Sequence, residues 1–139
     1  MKDYPYRGFG MNDMTLDLDP ALQPDFLMDA RERLPLRPFE CGDDLLRELP
    51  WNAVLIDRPY SRDDAAHYVP GADALPDANR LLKNALDVVE PGSRVGFLDY
   101  VWPHPGKLGH EVAVIAVGTG RNNRARWFTV FERVEGVCP

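Results

Sequence analysis

Cysteine is scarce in this chain: only Cys41 and Cys138 occur, 97 positions apart. Two thiols so far apart provide neither a disulfide framework nor the paired spacing of a zinc site. No apolar run approaches the ~20 residues of a helical membrane span, and the opening MKDYPYRGFG lacks the apolar stretch of a secretory leader. The expectation is a cytoplasmic protein with no membrane partner. Internal repeats and low-complexity tracts are missing as well. So is an excess of positive charge: the formal net charge is −6, which argues against a chain whose main work is coating nucleic acid.

What is present fits one globular domain spanning residues 1–139, with 1–13 as an N-terminal extension. The charge is uneven. Residues 1–79 carry 8 Lys and Arg against 16 Asp and Glu, whereas residues 80–139 carry 8 against 6. The second half therefore tolerates a phosphate that the first half repels.

Thirteen prolines cut the chain into short pieces, and the pieces between them have clear patterns. Residues 14–18 and 25–29 alternate and predict two short strands. Residues 42–49, with leucines at 45, 46 and 49, predict a two-turn helix. The nearly all-apolar run Trp51-Asn52-Ala53-Val54-Leu55-Ile56-Asp57 predicts a strand covered on both faces, hence central in a parallel sheet. Leu81, Leu82, Ala85 and Leu86 give helical spacing behind Asp77, and Pro91-Gly92 is expected to end that helix. Strands follow over 94–101, 111–117 and 125–133, the last two joined by a hairpin loop. This order predicts an α/β fold with a mainly parallel sheet and an antiparallel C-terminal hairpin.

In open α/β sheets ligands bind outside the carboxyl ends of the strands. Here those ends carry Asp17 with Asp19, then Asp29, Asp57 and Asp99. Asp also favours exits from strand to turn, so the placement alone has a plain structural explanation. Trp102 and Tyr100 follow the strand over 94–101, where they either line a pocket or pack as ordinary aromatics. His67, His104 and His110 lack ligand spacing, so no metal site is expected.

Local contexts around these acids resemble class I S-adenosylmethionine-dependent methyltransferases. Leu16-Asp17-Leu18-Asp19-Pro20 is similar to the second-strand motif, whose acid accepts the ribose hydroxyls; Asp17 matches it. Phe26-Leu27-Met28-Asp29-Ala30 resembles the third-strand motif, which assigns Asp29 and the Ala30 amide to adenine. Asp57-Arg58-Pro59-Tyr60 resembles the Asp-Pro-Pro-Tyr signature of the branch that methylates adenine N6 or cytosine N4 in DNA. There Asp57 and the carbonyl of Arg58 or Pro59 would take the hydrogens of an exocyclic amine, and Tyr60 would stack on the extruded base. Val88-Val89-Glu90-Pro91-Gly92 is similar to the passage before the fifth strand. The resemblance implies a reduced Rossmann-like methyltransferase sheet, S-adenosylmethionine as cofactor and DNA as partner. The strand ending at Asp57 would lie between those ending near Asp17 and Asp99.

Three features depart from that pattern. No strand and glycine loop for the methionine part of the cofactor fit before Asp17, where only Arg7-Gly8-Phe9-Gly10 is available. Arg58 stands where the signature has Pro, and its guanidinium either pairs with a carboxylate or meets a phosphate. Residues 102–109 hold two prolines and two glycines in place of a helix. Arg121, Arg124 and Arg126 form the concentrated basic cluster, either a solvated hairpin tip or a nucleic-acid contact. Two functions therefore stand side by side: a methyltransferase, or a non-catalytic remnant that binds a partner. The sheet edge left by the missing strand is expected to be covered by residues 1–13, by a homodimer partner or by a second chain.

Overall fold

The computed structural model describes residues 10, 12–41, 45–59, 61, 63, 66, 75–119 and 124–136. Its strands are β1 (Leu16–Asp17), β2 (Phe26–Leu27), β3 (Arg37–Cys41), β4 (Leu45–Leu49) and β5 (Trp51–Asp57). Helix α1 (Ala78–Val88) follows, then β6 (Val89–Asp99), β7 (Gly109–Thr119) and β8 (Arg124–Arg133). β1 and β2 form a short parallel pair, β3 and β4 an antiparallel pair. The remaining strands form one sheet in the order β5-β6-β8-β7.

Helix α1 forms where apolar spacing and capping agree. The Asp77 carboxylate accepts the Arg80 amide at 2.8 Å and closes the N-terminus, while Lys83 and Asp87 pair one turn apart. Leu81, Leu82, Ala85 and Leu86 are buried against Val95 and Phe97 of β6 and Phe131 of β8. Leu82 and Leu86 are wholly buried, each contributing about 1.5–3 kcal/mol by transfer from water. At the other end, Arg133 donates through Nη1 to the carbonyls of Asp87 and Val89 and so satisfies the closing turn.

Three expectations need correction. The fold is dominated by strands, with α1 packed on the four-stranded sheet and with both parallel and antiparallel pairing, so a mainly parallel, Rossmann-like α/β sheet is not what forms. In the four-stranded sheet only β5 and β6 are parallel; β8 runs antiparallel to both β6 and β7. The antiparallel C-terminal hairpin is present as β7 and β8. Second, β5 is not central. Among the described strands it pairs only with β6, and β1 pairs only with β2. Val54 and Ile56 turn toward the helix side, whereas Ala53 and Leu55 lie on the other face, with Leu55 67% exposed. An apolar run signals two apolar faces; it does not say that each face is covered. Third, residues 45–49 extend as β4 instead of a helix, paired from Arg37↔Leu49 to Cys41↔Leu45. Two turns nucleate poorly on their own, whereas pairing with β3 satisfies the backbone directly.

The helix stops at Val88, ahead of Pro91-Gly92 as expected, but β6 begins at Val89, so the Pro-Gly pair lies inside the strand instead of before it. Pairing steps from Trp51↔Val89 to Ala53↔Arg94, so residues 90–93 bulge out within β6, and Gly92 takes φ +80° there. The segment after β2 is tied to the main unit. Asn84 donates to the carbonyls of Ala30 and Glu32, Trp51 Nε1 donates to Pro35, and Phe26 meets the Trp51 ring edge-on at 6.4 Å. No helix among the described residues is long and apolar enough to cross a membrane.

Candidate binding site

The parallel pair and its crossover helix, β5-α1-β6, bring together the carboxyl ends of two strands and the N-terminus of α1. Arg58 is the first residue after β5 and Asp99 the last of β6. They form a buried ion pair through Arg58 Nε, and Arg58 Nη1 donates to the Pro76 carbonyl at 2.9 Å. The other Asp99 oxygen accepts the amides of Tyr100 at 2.6 Å and Val101 at 3.2 Å. One carboxylate thus fixes the turn after β6, and one guanidinium joins it to the segment entering α1.

Beside this pair lies an open cleft of about 340 Å³, bounded by Arg58, Pro76, Asp77, Asn79, Val101 and Trp102 among others. Trp102 is half-exposed and held in place. Its indole N–H donates to Glu111 at 2.7 Å, and its ring lies 5.9 Å from that of Trp127 at an interplanar angle of 43°. Asn79 accepts the His104 amide at 2.7 Å, which anchors the segment after Trp102 to the first turn of α1. The cleft therefore presents a preorganised aromatic surface beside a helix start. Arg58 is paired with Asp99, and the lining also holds the Asp77 carboxylate, which caps the start of α1.

Asp57 ends β5 as an exposed residue, and Pro59 is half-buried two positions on; Tyr60 lies outside the described residues. Arg58 points inward, 6% exposed, so its partner is a carboxylate. Arg121 lies outside the described residues, and Arg124 opens β8. Arg126 is half-buried with its guanidinium 5.8 Å from the centre of the Tyr100 ring.

The acids assigned to a cofactor are engaged in their own turns. Asp17 accepts the Asp19 amide at 2.9 Å. Asp29 accepts the Arg31 amide at 2.8 Å and pairs with its guanidinium at 2.5 Å. That side-chain hydrogen bond outweighs desolvation and lowers the Asp29 pKa, with Arg80 adding a smaller favourable field. Neither acid, nor Ala30, lines the cleft. Asp17, Asp29 and Ala30, which the resemblance would assign to S-adenosylmethionine, therefore stand apart from the cleft.

Asp99 and Asn79 are the organising residues that the sequence pattern underplays. Opposite charges ending adjacent parallel strands are a usable signal for the Arg58–Asp99 pair, but only once those strands are known to be neighbours. Comparison with protein-family models, with curated proteins and with solved structures returns no match.

Proposed function

We propose that this chain is a small binding module, and that the cleft between Trp102 and the start of α1 takes a planar heteroaromatic ligand of the nucleoside class. The single observation that carries this reading is the fixed, half-exposed Trp102 ring forming one wall of the cleft. A ring locked by Glu111 and Trp127 loses little freedom when a flat ligand stacks on it, and stacking contributes about 1–3 kcal/mol. The Asp77 carboxylate favours neutral or cationic ligands over phosphates. A reducing, cytoplasmic setting suits two thiols so far apart.

Calorimetric titration of the full chain with adenosine, S-adenosylmethionine and adenosine monophosphate tests the reading. Adenosine and the sulfonium compound should bind, adenosine monophosphate more weakly. Trp102→Ala should weaken binding about tenfold to a hundredfold. Equal affinity for all three ligands with no effect of Trp102→Ala would contradict it.

A second reading, methyl transfer from S-adenosylmethionine to an exocyclic amine in DNA, draws on one observation: Asp57, Arg58 and Pro59 close β5 at the same strand ends as the cleft. It requires labelled methyl transfer to unmethylated DNA that Asp57→Ala abolishes. Absence of transfer by the wild-type protein removes it.

A further inference from the structure

Helix α1 covers one face of the four-stranded sheet, through Val95, Phe97 and Phe131. The opposite face is apolar. Pairing places Leu55 beside Gly96 and Gly96 beside Val130, with Leu98, Phe128 and Ile115 in the next row. A Cβ on Gly96 would meet Phe128 Cζ at 2.7 Å and Leu55 Cδ2 at 2.8 Å, so those two side chains already lie over the glycine as a packed layer. Beyond that layer comes solvent: Leu55 is 67% exposed and Ile115 51%. Contiguous apolar surface of this kind on a soluble domain marks an interaction face.

We propose that a second copy of this chain covers this face, two sheets stacking around a twofold axis. Charge at its ends identifies the occupant. One end carries Arg94 and Glu132, whose side chains approach to 3.5 Å, and the other carries Asp57 and Arg126. Each end therefore holds both signs, and an axis running across the strands lays β8 over its reversed copy, which sets Glu132 beside Arg126 of the second copy. A partner of strong single-sign charge would match neither end. Size agrees as well: strands about 4.8 Å apart and of these lengths give a face of roughly 600 Å² in projection. A pair would bury about twice that, at the lower bound of specific interfaces.

Light scattering coupled to size-exclusion chromatography, with sedimentation equilibrium, tests this on the full chain. The wild-type protein should have about twice its 15.7 kDa chain mass. Leu55→Lys with Ile115→Lys should give a monomer. Should that pair of charges unfold the chain by circular dichroism, Leu55→Thr with Ile115→Thr keeps strand propensity and should raise the dimer Kd at least about tenfold. A wild-type monomer at about 100 μM overturns the proposal. So does a dimer unchanged by the threonine pair, because its interface then lies elsewhere.

Discussion

Arg58 and Asp99 join the ends of the two parallel strands from either side of the crossover, and their side chains are 5% and 1% exposed. The residue that departs from the Asp-Pro-Pro-Tyr pattern is thus a fastening of the fold. Removing one member of a buried pair strands the other charge in a poor solvent. Asp99→Ala should lower unfolding free energy by about 3–5 kcal/mol in urea titrations. Arg58→Met combined with Asp99→Asn, which removes both charges and keeps an acceptor for the Tyr100 and Val101 amides, should recover at least half of that loss. A double variant as unstable as Asp99→Ala would contradict the pairing.

Thr129 is fully buried on the helix side of β8, and its hydroxyl has no hydrogen-bond partner among the described residues. An unsatisfied hydroxyl in an apolar environment costs roughly 1–3 kcal/mol. Thr129→Val preserves shape and branching and removes that penalty, so stability should rise by about 1 kcal/mol. Urea denaturation with an unchanged m-value is the check; a loss of stability would mean the hydroxyl has a partner.

Asp29 titrates below the usual aspartate value of 3.8, chiefly because Arg31 hydrogen-bonds its ionised form. The folded value is depressed, so its stabilising contribution is complete above 3.8 and disappears as pH falls through the lower folded value. Arg31→Gln should move the Asp29 titration upward, read from its carboxyl carbon by NMR. An unmoved titration would place the cause elsewhere.

Much of the C-terminal half was legible in the sequence. The spacing of Leu81, Leu82, Ala85 and Leu86 behind Asp77, and the alternation in residues 125–133, report local burial directly, and α1 and β8 form there. Sheet neighbours are another matter. The run Ala53 to Ile56 has the composition of a central strand, yet β5 pairs on one side only among the described strands, because composition records which faces are apolar and not what lies against them. The acids at strand ends were found as positions, but their partners are fixed by loop geometry: Asp17 bonds two residues on, and Asp29 turns to Arg31. The cleft depends on Trp102, whose role rests on Glu111 and Trp127 across the sheet, a long-range arrangement that no local pattern encodes.

The most direct test of the binding role is an amide and indole NMR titration of the uniformly nitrogen-labelled full chain with adenosine. The Trp102 indole N–H and the amides of Asp77, Ala78, Asn79 and Val101 should shift together along one saturable isotherm. The Trp51 indole, which donates to Pro35 away from the cleft, should stay in place. Absence of any shift at about 5 mM ligand, or shifts that spare Trp102, would contradict the account.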